Sequence, residues 1–196
     1  VQADGGPGLA AFSGRGPCAD GRVKPDLVAP GTFVVVPRPA DSEETGWGVV
    51  DNPNEIYVGG TGVAAEQVAE AARQARQWLV EQRGISAPSA ALVKALLIAG
   101  ARDLAPGQYG TGPKQEIPDV RPNSAQGFGM LDRVDGEGGD DGYLAVHDAQ
   151  GLGLGGVDRY ELTAGENGGR WVLVLAYADY PALSAAGRKR VNDLEL

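Results

Sequence analysis

Two helix-forming stretches parted by one glycine turn constrain this chain more than any other feature. Between residues 63 and 83, Ala64, Val68, Ala72, Ala75 and Leu79 recur at spacings of three and four, while Glu66, Glu70, Arg73, Arg76 and Gln77 take other faces. The apolar stripe is mostly alanine, so this helix must approach its neighbours closely. Gly84 supplies its C-terminal stop. A second helix is expected over 88–99, with Ser86 as N-cap, Pro88 in the first turn and Gly100 after the last. Leu92, Val93, Leu96, Leu97 and Ile98 make it apolar nearly all round, and such a helix is normally covered on most sides.

What surrounds the helices is not helical. The 31 glycines and 13 prolines call for many turns and exclude a helical bundle. Leu27-Val28-Ala29 and Phe33-Val34-Val35-Val36 read as short buried strands closed by Pro30-Gly31 and by Pro37. Residues 41–55 are polar and read as a loop. Residues 104–142 are irregular and contain the acidic run Asp135-Gly-Glu-Gly-Gly-Asp140-Asp141-Gly. Beyond them Val157–Leu162, Trp171–Tyr177 and Val191–Leu196 read as strands between Gly and Pro turns, the start of an all-β sandwich. The expected division is an α/β part over 1–134, an acidic glycine-rich linker over 135–156 and a β module over 157–196.

Composition excludes some functions. The formal net charge is -9, which argues against nucleic acid, whose phosphates call for clustered Lys and Arg. No apolar run approaches the length needed to span a bilayer. Cys18 is the only cysteine, so the chain has neither an internal disulfide nor a thiolate zinc site. The chain opens on Val1, and a longer parent reading frame is expected.

Four motifs, in order, carry a resemblance. Phe12-Ser-Gly-Arg-Gly-Pro17 with Gly21-Arg-Val-Lys-Pro-Asp-Leu-Val-Ala-Pro-Gly31 resembles the FSSRGP…GRxKPDxxAPG segment of subtilisin-like serine proteases, the subtilases. Gly59-Gly-Thr-Gly-Val-Ala-Ala-Glu-Gln-Val-Ala69 sits where those enzymes carry SGTSMAxPxVAG. Pro88-Ser-Ala-Ala-Leu-Val-Lys-Ala-Leu-Leu matches the helix that follows, and Gln126-Gly-Phe-Gly resembles their closing QGWG turn. The tail, Trp171 to Pro181 and Val191-Asn-Asp-Leu-Glu-Leu196, is similar to the β-sandwich after the protease domain in one branch, whose motif reads VNDLDL. The resemblance implies an α/β fold: the C-terminal portion of a subtilisin-like parallel α/β sandwich, followed by an antiparallel β-sandwich module.

It also implies peptide-bond hydrolysis through a serine, which needs a histidine base and an orienting carboxylate. The alignment sets Gly62 at the nucleophile, and glycine brings no hydroxyl. Gly59, Val63 and Glu66 depart from the family's Ser, Met and Pro, and Glu66 is expected to suit the dipole of a first helical turn. The family's Asp and His motifs lie upstream, and the one histidine here, His147, falls downstream. Ser13, Ser86 and Ser89 read as turn or helix-start residues. The expectation is therefore an endopeptidase fragment, inactive alone, whose Gly60, Thr61, Gly62 and Val63 line a substrate cleft; the alternative is a pseudoprotease that binds peptide or serves as a structural module. Expected partners are a polypeptide substrate or peptide, and either a complementing N-terminal half or a second copy. Calcium is the one cofactor considered. Asp26 matches a family position near a weak cation site, and Asp135, Glu137, Asp140 and Asp141 offer clustered carboxylates without EF-hand spacing. By resemblance the parent is exported.

Overall fold

The computed structural model describes residues 7–48, 50–132, 151–163, 171–183, 185–187 and 190–195. The helix of small residues forms as α1, Thr61–Glu81, and the apolar helix as α2, Ala90–Ala99. Ala71, Ala75 and Leu79 of α1 meet Leu92, Leu96 and Leu97 of α2 in one buried cluster, with Leu27, Val68, Trp78, Ile85 and Leu131 around it. Ala75 and Leu79 are fully buried, because alanine lets the second helix come close. The α1 chain reverses at Gly84, whose φ of 68° suits glycine, and the Ile85 N–H donates to the Leu79 carbonyl.

The N-cap of α2 differs from the expected residue. Ser89 holds the cap, with its Oγ accepting from the Leu92 N–H at 3.1 Å. Ser86 and Pro88 both lie before this cap, so Pro88 does not sit in the first turn as expected. Apart from Lys94, α2 has few solvent-facing residues, and Lys94 pairs with Asp26 at 2.7 Å.

The one ladder among the described residues is antiparallel. β1, Val34–Pro37, pairs with β2, Glu55–Val58, in the register Val34↔Val58 to Pro37↔Glu55. β1 falls close to where expected but is half exposed and not buried, and β2 begins inside the segment read as loop. Its four residues give too short an alternation to outweigh the polar residues before it. Leu27–Ala29 makes no full strand. Parallel geometry appears there as a single bridge, Val28↔Met130.

That bridge brings distant motifs together. The Gln126 turn closes with Asn123 and Gly127 exchanging backbone hydrogen bonds, and the Phe128 N–H donates to the Asp26 carbonyl at 2.9 Å. Met130 also exchanges backbone bonds with Arg102 at 2.7 and 2.8 Å. Gln126 is fully buried; its side-chain oxygen accepts from the Leu104 N–H and its amide donates to Asp103. Leu9, Leu104, Ile117 and Ala125 form a second apolar cluster beside it.

Among the described residues, the tail does not show the strands expected from sequence. The described residues of 157–162, 171–177 and 191–195 form no ladder. Trp171, Val172 and Leu173 remain about half exposed. A strand exists only where a neighbour accepts its backbone bonds, and local periodicity does not supply that neighbour. Val172–Tyr177 instead runs beside α2 across an open groove of about 660 Å³, with Arg190 and Leu194 on its rim. Asp179 ties the tail to itself, accepting from the Val191, Asn192 and Tyr180 N–H groups and the Asn192 amide at 2.7–3.2 Å. The acidic run 135–141 and His147 lie outside the described residues.

Candidate functional site

Gly59 to Val63 form the entry to α1. Gly60 is the N-cap, with φ of 133°, and no side chain caps the helix. The Gly60 N–H donates to the Gly31 carbonyl at 2.8 Å, so the Ala29-Pro30-Gly31 turn buttresses the elbow. A Cβ on Gly31 would stand 3.0 Å from the Gly60 carbonyl oxygen and 3.4 Å from the Ala64 Cβ, which explains a glycine there. Gln67 adds a side-chain hydrogen bond to the Pro30 carbonyl.

Thr61 and Gly62 face solvent, and Val63 is half-buried. A Cβ on Gly62 would meet nothing within 4 Å. The first helical turn therefore presents its N–H dipoles to an open face that carries no side chain at Gly62. The structure thus brings Gly60, Thr61, Gly62 and Val63 together as one short backbone surface. Because α1 begins at Thr61, Glu66 lies beyond the first turn, which holds no acidic residue. Its expected contribution to the dipole at the helix start is corrected accordingly.

The sequence reading missed the aromatic wall beside this elbow. The Trp47 ring covers Gly59 so closely that a Cβ there would stand 2.3 Å from ring carbons. Trp47 meets Phe12 and Phe33 edge-to-face at 5.8 and 5.6 Å between centroids, and Phe33 meets Tyr57 in the same manner at 5.9 Å. Backbone pairing holds Trp47 in place, since its N–H donates to the Tyr57 carbonyl at 2.7 Å. Phe33 adopts φ of 51°, a left-handed conformation uncommon for an aromatic residue. The four residues lie far apart in the chain, so no periodicity joins them. Trp47, an aromatic residue in the otherwise polar stretch 41–55, was the available signal.

Asp26 does not fit a cation site. Lys94 holds one carboxylate oxygen and Lys24 the other. Burial raises the pKa of Asp26, and the two ammonium groups more than offset this and hold it below the usual carboxylate range. A metal ion would have to displace both. Among the described residues no group of three or more His, Cys, Asp or Glu side chains is placed to hold a metal. Ser13 closes a turn through its N–H to the Ala10 carbonyl at 2.9 Å. Among the described residues, no helix is long and apolar enough to cross a membrane.

Comparison with known proteins places these features. The family model described as the subtilase family matches residues 3–135, the span that contains both helices, the elbow and the Gln126 turn. The serine protease/ABC transporter B family protein tagD of Dictyostelium discoideum is 28% identical, over 96% of this chain and 13% of its own length. The protein of the same description called tagB, from the same organism, is 32% identical over 63% of this chain and 8% of its own length. This chain thus spans a small part of either relative. A family match over well above half the chain, on the segments that build the elbow, means that the chain belongs to the subtilase family.

Proposed function

We propose that this chain supplies the nucleophile-side wall of a subtilisin-like endopeptidase cleft and lacks the nucleophile itself, because Gly62 occupies that position. The observation that carries the reading is the open space at Gly62 in the exposed first turn of α1. A serine there would project its hydroxyl into solvent at a helix N-terminus, where N–H dipoles favour the negative charge of an acyl-transfer intermediate. With glycine, Gly60, Thr61 and Val63 retain the backbone surface that can seat a polypeptide, and no oxygen attacks its carbonyl carbon. The base and its carboxylate belong, on this reading, to an upstream half. Residues 1–134 are then protease domain, 135–156 linker and 157–196 the beginning of a β-sandwich whose strands pair elsewhere; export follows the family.

A second reading is a pseudoprotease that binds peptide. It is favoured by the several departures around the elbow, at Gly59, Gly62, Val63 and Glu66, where loss of catalysis alone needs one.

The test is hydrolysis of casein by the chain and by Gly62→Ser, each alone and each mixed with the upstream half of a related subtilase, with assembly checked by gel filtration. Turnover confined to the assembled Gly62→Ser mixture supports the first reading. An assembled but silent mixture that retains peptide supports the second. Turnover by the unmodified chain alone overturns both.

A further inference from the structure

The aromatic wall beside the elbow remains unexplained by packing. Phe12, Phe33 and Trp47 are 46%, 54% and 41% exposed, yet they stack edge-to-face as a continuous surface. Water contact on three large rings is costly, at roughly 25 cal/mol per Å² of apolar area. Phe33 combines this exposure with a left-handed φ of 51°.

The charge of the segment that bears Trp47 indicates what the surface receives. The segment that bears Trp47 and leads into β2 contains Asp41, Glu43, Glu44, Asp51 and Glu55 and no lysine or arginine. Asp41, Glu43, Glu44 and Asp51 are exposed, and among the described residues no ion pair engages any of the five. Arg38, the nearest cation in sequence, donates to the Ser42 carbonyl and keeps its charge, which leaves one positive charge against these five negative ones. Exposed aromatic faces on a segment of net negative charge attract a cation with an apolar stem, through ring quadrupole and Coulomb attraction together. An apolar or acidic ligand would satisfy only one of these features or neither.

We propose that the Phe12–Phe33–Trp47–Tyr57 face seats an arginine or lysine side chain of the polypeptide that lies along Gly60–Val63. The cleft position rests on the function proposed above, whereas the preference for a cation rests on the rings and the carboxylates. Because Trp47 lies on Gly59, the cationic residue sits immediately next to the elbow.

The test is fluorescence anisotropy of labelled hexapeptides with the full chain. One peptide carries a central arginine, one citrulline and one glutamate. The arginine peptide is expected to bind about tenfold tighter than the citrulline peptide, with the glutamate peptide weakest and the difference shrinking at high salt. Trp47→Ala should abolish the arginine preference. Because Trp47→Ala could disturb the hairpin, the surface pair Glu43→Gln with Glu44→Gln provides a second variant, expected to cut the preference severalfold with an unchanged circular dichroism spectrum. Equal binding of arginine and citrulline peptides overturns the proposal, as does full preference in both variants. Gly62→Trp separates the two readings: loss of binding supports the cleft position, whereas unchanged arginine preference overturns the cleft reading and leaves the cation site standing.

Discussion

Glycines at two positions do different physical work, and single substitutions separate them. Gly62 has an ordinary helical backbone and open space at its Cβ, so Gly62→Ala is expected to stabilise the chain by about 0.4–1 kcal/mol through the unfolded state. Gly127 has φ of 62°, and a Cβ there would lie 2.0 Å from the Pro25 carbonyl oxygen. Gly127→Ala should therefore cost more than about 2 kcal/mol or prevent folding, because backbone and not a movable side chain stands in the way. Urea titration of both variants reads the contrast; equal midpoints would mean that the Gln126 turn does not pack on Pro25–Asp26. Gln126 makes a comparable demand. Its fully buried amide satisfies the Leu104 N–H and Asp103, so a leucine of similar size would strand the Leu104 N–H and take one of several partners from Asp103.

At the scale of elements, the start of α2 offers the sharpest test. Ser89→Ala removes the hydroxyl that accepts from Leu92 and should cost about 1 kcal/mol, whereas Ser86→Ala should leave the thermal midpoint unchanged. A reversed result would move the cap back to the position read from sequence. α2 is also tied to the preceding motif by charge, since Asp26 holds Lys94 and Lys24. Asp26, Asp103 and Asp179 are all held below their ordinary value of 3.8. For Asp103 and Asp179 burial pushes upward and is outweighed, in the first by hydrogen bonds from Ala105 and Gln126 together with the charge of Arg121, and in the second by hydrogen bonds from Val191 and Asn192. A carboxylate with a folded-state pKa below its unfolded value stabilises the fold above about pH 4, and that stability is lost as pH falls through the lowered value. Denaturant midpoints should thus fall steadily from pH 5 to pH 2, with a shallower fall in Asp26→Asn.

For the whole molecule, surface area is the governing quantity. The chain exposes 13525 Å², whereas a compact monomer of this mass exposes about 8,800 Å². Among the described residues, Leu154, Val157, Leu173, Tyr180 and Leu183 are all more than half exposed. Exposed apolar area of this size drives association. Sedimentation velocity is expected to show concentration-dependent self-association, together with enhancement of a hydrophobic dye that falls when a complementing protease half is added. A single monomeric species that leaves the dye dark would mean that the tail has found its own cover.

Local rules were enough to read the helices, β1, the Gln126 turn and the family from the chain alone. Periodicity, capping residues and short motifs act over a few residues, and their spacing is written directly in the sequence. The cap at Ser89, strand β2, the missing ladder in the tail and the two lysines on Asp26 were decided by tertiary structure, because each depends on which distant group accepts a bond or offers a charge. The aromatic wall belongs to this second class most clearly: Phe12, Phe33, Trp47 and Tyr57 become one surface only when β1 and β2 pair and the Gly46–Gly48 turn folds onto Tyr57.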